Sequence, residues 1–138
     1  MFKRLVCIFL SAVSLVAVGY LNRTPVFGEF ASELEVYIGA PDSTAQIIIV
    51  DADKVPKTNE VCGEAFTTNK QNFDLNNFLS KFSAKLLFAE SIEGGTSYYA
   101  YSSKIRYNQT VNGKKVNLQV FIGENSVKVG SPIICGSF

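Results

Sequence analysis

Alternating and β-branched apolar positions predict strands along most of the chain. Alternation over residues 33–39 predicts one strand, and the apolar run over 44–50 predicts a second strand that forms a hairpin with it. Residues 51–60 are polar and include Pro56, which indicates a loop. Residues 61–68 are a weaker strand candidate, in which Gly63 suggests a β-bulge.

One helix is predicted over residues 75–89. Asp74 precedes it as a suitable N-cap, and Gly94-Gly95 ends the segment. Six apolar residues fall on one stripe at helical spacing: Leu75, Phe78, Leu79, Phe82, Leu86 and Ala89. A single apolar stripe implies one packing partner, most simply the face of a sheet.

The remaining third of the chain predicts three further strands, over 96–107, 114–123 and 126–134. Asn112-Gly113 is a strong signal for a two-residue hairpin turn. Pro132 near the end of the last strand favours an edge position, because proline donates no hydrogen bond. The predicted fold class is therefore α+β, an antiparallel β-sheet meander with one amphipathic helix packed on a face, within a single domain over residues 29–138.

The first 21 residues have the layout of an export signal. Lys3 and Arg4 precede 17 uncharged residues over 5–21, and small residues follow. Residues 1–28 are interpreted as a signal peptide or an N-terminal membrane anchor plus linker, with residues 22–32 as the connecting segment. Cleavage after Gly19 or Gly28, an uncleaved anchor and a buried terminal helix all remain open. The expected location is the extracellular face of the membrane or the cell wall.

Charge argues against a nucleic-acid partner. The chain carries 13 basic and 12 acidic residues. Removing the leader with Lys3 and Arg4 leaves 11 basic and 12 acidic residues, a net charge of −1. A nearly neutral domain lacks the basic surface of a nucleic-acid binder. Membrane contact is expected only through residues 5–21, and only if the leader is retained.

The composition excludes several kinds of catalytic site. The chain has no histidine, so Ser-His-Asp, Cys-His and His-zinc sites are ruled out. Asp51, Asp53 and Glu60 form the one acidic cluster in the sequence. Their spacing fails the EF-hand pattern, and a solvated loop explains them as well as a cation or hydrolase site does. We expect no metal, no cofactor and no catalytic residue.

Two other features suggest binding or cross-linking. Strand alternation predicts that Tyr99, Tyr101 and Tyr107 share one side with Tyr98 opposite, a strip that either holds a glycan or peptide or covers sheet surface. Cys62 and Cys135 are the two cysteines after the leader. In an oxidising compartment they can form a disulfide that closes a loop of ~74 residues, worth about 4 kcal/mol; the alternative is two free buried thiols.

The C-terminal third resembles the end of the YwmB family. The likeness covers residues 96–138 and rests on Asn117-Leu118-Gln119, on Gly130 and Pro132 within the run Gly-Ser-Pro-Ile-Ile, and on the terminal aromatic residue Phe138. Members are exported, poorly characterised proteins of Gram-positive bacteria with a TATA-box-binding-like fold. This chain looks shorter than typical members, and Cys62 and Cys135 look like additions. The resemblance implies an envelope role and carries no catalytic residues.

Together these observations predict an exported, envelope-associated protein that acts by non-enzymatic binding or scaffolding, with an envelope protein or wall component as partner. Two alternatives remain. One is a membrane-tethered regulator of an envelope enzyme, which requires an uncleaved leader. The other is a cell-wall or glycan hydrolase that uses carboxylates such as Asp51, Asp53 and Glu60.

Overall fold

Nine β-strands dominate the computed structural model, which describes residues 6, 8, 10–14 and 24–138. Within 24–138, one α-helix, α1, spans Leu75–Lys81, and two 3-10 turns span Ala52–Lys54 and Lys70–Asn72. The strands are β1 Glu33–Ile38, β2 Gln46–Asp51, β3 Val61–Asn69, β4 Lys85–Ile92, β5 Gly95–Tyr101, β6 Gln109–Val111, β7 Lys114–Val116, β8 Leu118–Gly123 and β9 Ser126–Ser131.

The predicted leader is described only in part. Residues 6, 8 and 10–14 are helical. Lys3, Arg4, Cys7 and the predicted processing site at Gly19 lie outside the described residues. In the part of the chain that the structure describes, no helix combines the length and the apolar character needed to cross a bilayer.

Seven strands form one antiparallel sheet in the order β2-β1-β3-β9-β8-β5-β4, which confirms the predicted antiparallel sheet. The predicted meander is wrong, because β9 pairs with β3 and separates it from β4 and β5. The predicted β1–β2 hairpin is also confirmed, with pairs running from Glu33 opposite Asp51 to Ile38 opposite Gln46. The prediction that β9 is an edge strand is wrong, because β9 lies between β3 and β8. Pro132 follows the last residue of β9, so it removes no donor from the ladder.

The predicted bulge at Gly63 is confirmed. Tyr37 on β1 pairs with Gly63, whereas Ile38 pairs with Val61, which leaves Cys62 as the extra residue on β3. The bulge bends β3 where it passes the C-terminal residues of the chain.

The helix is much shorter than predicted. Asp74 is its N-cap, and its side chain accepts a hydrogen bond from Asn77 N at 2.7 Å. The helix ends at Lys81 because Ser83 adopts a left-handed conformation. Ser83 N donates to Ser80 O and Ala84 N donates to Leu79 O, which is the Schellman arrangement with serine in the position that glycine usually occupies. Leu86 and Ala89, expected on the helical stripe, lie on strand β4 instead.

One face of the sheet carries the main core. Its centre holds side chains that are at most 1% exposed, namely Leu34, Val36, Leu118, Val120, Val127 and Val129. An aromatic cluster extends this core towards α1, with the Phe27 ring centroid 5.1 Å from that of Phe66, 6.4 Å from Phe78 and 6.1 Å from Phe82. Removing this apolar surface from water is the main driving force for folding.

The C-terminal tail, residues 132–138, crosses the opposite face of the sheet. Gln119 holds it, since Gln119 Oε1 accepts a hydrogen bond from Ile134 N at 2.9 Å. Gly130 leaves room for the crossing, because a Cβ there would lie 2.7 Å from Ile134 Cγ1 and 2.8 Å from Ile133 O. At its end, the Phe138 ring packs 4.4 Å from the ring of Phe121.

Candidate functional site

A strap, residues 24–31, follows the predicted leader in sequence and enters the core. The expectation that residues 22–32 form a linker is wrong for this part, because the Phe27 side chain is completely buried. Two polar contacts fix the strap: Arg106 Nη1 donates to Thr24 O at 2.6 Å, and Phe27 N donates to Glu64 Oε1 at 2.7 Å. The second candidate processing site, Val26-Phe27-Gly28, therefore belongs to the strap, with Phe27 buried and Gly28 exposed.

Glu64 is a carboxyl group buried on the core face of β3, with no exposed surface. Its Oε2 has no hydrogen-bond partner among the described residues. Burial raises the pKa of Glu64 above its ordinary value, and the Phe27 amide and the positive charge of Arg106 offset this only in part. The nearby Tyr107 hydroxyl also lowers the pKa of Glu64, although it makes no hydrogen bond to Glu64 Oε2.

Arg106 and Tyr107 lie beside this carboxyl group. Arg106 Nη2 donates to the Tyr107 hydroxyl at 2.7 Å, and the guanidinium lies 4.5 Å from the centre of the Tyr107 ring. Burial, followed by the charge of Glu64, raises the pKa of Tyr107 to about 12, so its hydroxyl stays neutral. The guanidinium is thus held by the strap on one side and by a neutral tyrosine on the other.

The raised pKa of Glu64 predicts a pH-dependent contribution to stability. The protonated form is favoured in the folded state, so this contribution is full below the unfolded pKa of about 4.3 and is lost as pH rises through the folded pKa. The free energy of unfolding should therefore rise when the pH falls from 7 to 5. Glu64→Gln, whose side-chain oxygen can still accept from Phe27 N, is expected to reduce this rise. Urea denaturation at both pH values measures it.

Glu124→Gln is the matched control, because Glu124 lies exposed in a turn and the substitution removes the same charge. It should leave the difference in unfolding free energy between pH 7 and pH 5 as in the wild type. An equal pH dependence in Glu64→Gln and the wild type would show that Glu64 is not the group responsible.

A cleft of about 840 Å³ opens beside Arg106. The strap and the Ala52–Lys54 turn contribute the acidic residues Glu29 and Asp53, while the loop after β5 contributes Lys104 and Arg106. Phe82 and Pro25 supply apolar surface. The ion pairs in the described part of the chain, Lys54–Asp51 and Lys128–Glu35, involve none of these four charged groups. The cleft thus presents both signs of charge to a ligand.

The structure separates the predicted tyrosine strip. Tyr107 lies beyond the end of β5 and is buried next to Arg106, so the prediction that it shares a strand face with Tyr99 and Tyr101 is wrong. The Tyr99 ring stacks on Phe88 at 4.6 Å, and Lys115 Nζ lies 5.6 Å from the centre of the Tyr101 ring. Protein side chains thus already pack on the rings of Tyr99 and Tyr101.

The predicted acidic cluster does not come together as one site. Asp51 forms an exposed ion pair with Lys54 at 2.6 Å. Asp53 lines the cleft, and Glu60 is exposed just before β3. Within the described residues, no group of three or more Cys, Asp or Glu side chains is arranged to hold a metal ion.

The residues that carried the family resemblance lie in the core, against the loop after β5 or beside the C-terminal tail. Asn117 is completely buried and bonds to Ser102 and Ile105 of the loop that carries Lys104 and Arg106. Gln119 and Gly130 position the C-terminal tail, Pro132 is fully buried at its start, and Leu118 belongs to the core. This motif therefore shapes the loop and tail and lies outside the cleft lining.

Cys62 and Cys135 are both half-buried free thiols in the structure. They contact opposite ends of Tyr37: Cys62 Sγ donates to Tyr37 O at 3.3 Å, and the Tyr37 hydroxyl lies near the Cys135 backbone. Burial and then the negative charge of a Cys62 thiolate raise the pKa of Cys135 to about 11. Burial likewise raises the pKa of Cys62, so both thiols are protonated at neutral pH.

Sequence reasoning did not single out Glu64 or Arg106. The signal for Glu64 was present, because alternation along β3 places it on the same side as Phe66, and a charged residue on an apolar face is unusual. Arg106 had no such signal, since its role depends on the strap folding back over the sheet.

Comparison with protein-family models, characterised proteins and solved structures gives no match for this chain.

Proposed function

We propose that this chain is an exported, non-enzymatic binding domain of the cell envelope, and that the cleft beside Arg106 is its contact site. The cleft carries this proposal, because it is a concave surface where charged side chains from three separate segments converge. The basic and apolar leader supports export, and the absence of histidine supports binding over hydrolysis. The resemblance to the YwmB family supports an envelope role.

The strap favours a tethered regulator as the second candidate. Thr24, the first residue of the strap, follows the apolar run by three positions and is bonded to Arg106. An uncleaved leader would therefore hold the cleft within about 10 Å of the membrane surface, given ~3.5 Å per extended residue. In that form the domain would act on a neighbouring envelope enzyme.

Export would also place Cys62 and Cys135 where disulfides form. Both thiols are free in the structure, and we propose that they pair in the exported protein and tie the C-terminal tail to β3. Pairing joins the two sulfur atoms, releases two protons and transfers two electrons to a disulfide oxidant of the envelope.

Site-specific photo-crosslinking in cells tests the contact site. A photo-reactive amino acid replaces Lys104 in the cleft, and the matched control carries it at Lys114, an exposed lysine on β7. We expect a cross-linked partner in the envelope fraction from position 104 alone, and its loss when Asp53→Lys is added. Equal labelling from the two positions, or none from position 104, would contradict the proposal.

A further inference from the structure

The charges in the cleft come from separate segments of the chain and define a ligand class. Glu29 and Asp53 belong to the strap and the Ala52–Lys54 turn, whereas Lys104 and Arg106 belong to the loop between β5 and β6. A ligand with one kind of charge would be attracted by one pair of these side chains and repelled by the other. A ligand with a carboxylate and an ammonium group satisfies both pairs.

The Arg106 guanidinium is fixed in advance for binding the carboxylate of such a ligand. Two of its five N–H groups are used among the described residues, one by Thr24 O and one by the Tyr107 hydroxyl. Both contacts, together with the Tyr107 ring below the guanidinium, fix its plane before a ligand arrives. A fixed guanidinium with donors remaining loses little entropy on binding a carboxylate.

The apolar part of the cleft suits a side chain between the two charges. Phe82 and Pro25 line it, and the volume of about 840 Å³ lies within the range that holds small organic ligands. We infer that the cleft binds short peptides with free ends, the carboxylate at Arg106 and Lys104 and the ammonium group at Asp53 and Glu29. This inference rests on the proposed binding function and names its ligand class.

The test is an NMR titration of the isotopically labelled full chain in detergent with three forms of the dipeptide Ala-Leu: free, N-acetylated and C-terminally amidated. We expect the free dipeptide to shift the amide signals of Glu29, Asp53 and Lys104 with a Kd of about 1 mM, and each blocked form to bind about tenfold more weakly. Arg106 is not substituted, because its contact with Thr24 also holds the strap.

Two variants separate the contributions of the basic pair and the acidic pair. Lys104→Gln should reduce the preference for the free over the amidated dipeptide, and Asp53→Asn should reduce the preference for the free over the acetylated form. Lys114→Gln is the control for loss of a surface lysine and should change neither preference.

The inference is overturned if the free dipeptide produces no shifts at these amides at about 10 mM, ten times the expected Kd, or if blocked and free forms bind equally. Its failure is distinct from failure of the proposed function. Crosslinking from position 104 without dipeptide binding keeps the contact site and rejects this ligand class. Dipeptide binding without a cross-linked partner keeps the ligand class and rejects the envelope partner.

Discussion

Replacing Phe27 with alanine is expected to lower the free energy of unfolding by about 3–5 kcal/mol, the usual range for a large aromatic side chain removed from a core. The Phe27 side chain has no exposed surface, and its ring packs edge-on against Phe66 at 5.1 Å and Phe82 at 6.1 Å. The substitution leaves a cavity between β3 and the end of α1. Urea denaturation followed by circular dichroism measures the loss, since the chain has no tryptophan.

Phe138→Ala is the matched control, because the Phe138 side chain is 56% exposed. It removes the same atoms and should cost less than about 1 kcal/mol, as exposed positions usually do. If Phe27→Ala cost no more than Phe138→Ala, the strap would not be part of the folded unit. The leader would then connect through a linker, as the sequence alone suggests.

Replacing Asn117 with alanine is expected to cost about 3 kcal/mol, because each buried polar group left without a partner costs ~1–3 kcal/mol. Asn117 Oδ1 accepts from Ser102 N at 2.8 Å, and Nδ2 donates to Ser102 O at 2.6 Å and to Ile105 O at 3.3 Å. The loss should loosen the loop that carries Lys104 and Arg106. Denaturation measures the cost, and amide hydrogen exchange at Ser102 should become faster.

Asn125→Ala is the control for this substitution, because Asn125 is exposed in the turn between β8 and β9. It should change neither the unfolding free energy by more than about 0.5 kcal/mol nor the exchange at Ser102. Unchanged exchange at Ser102 in Asn117→Ala would contradict the role assigned to the buried amide.

Local patterns predicted the strands better than the helix. The β1–β2 hairpin, the bulge at Gly63 and the Asn112-Gly113 turn follow from residues adjacent in sequence, and all three are present. Asn112 and Gly113 both have positive φ, as a two-residue hairpin turn requires. The end of α1 could not be predicted, because Ser83 occupies a position that usually signals itself by glycine.

The candidate site depended on contacts between distant segments, so the sequence revealed little of it. Thr24 and Arg106 are 82 residues apart, and Phe27 and Glu64 are 37 apart. Only Asp53, from the predicted acidic cluster, lines the cleft. The prediction of a tyrosine strip is wrong because β5 ends at Tyr101 and the chain turns before Tyr107.

The intact mass of the protein from separated cell fractions, alkylated with and without prior reduction, tests the central claim of an exported folded unit most directly. We predict an envelope protein that retains Phe27, whether it begins at Tyr20 or keeps the leader, with Cys62 and Cys135 alkylated only after reduction. A chain beginning at Glu29 would contradict the role of the strap. A full-length cytosolic chain whose cysteines react without reduction would contradict export itself.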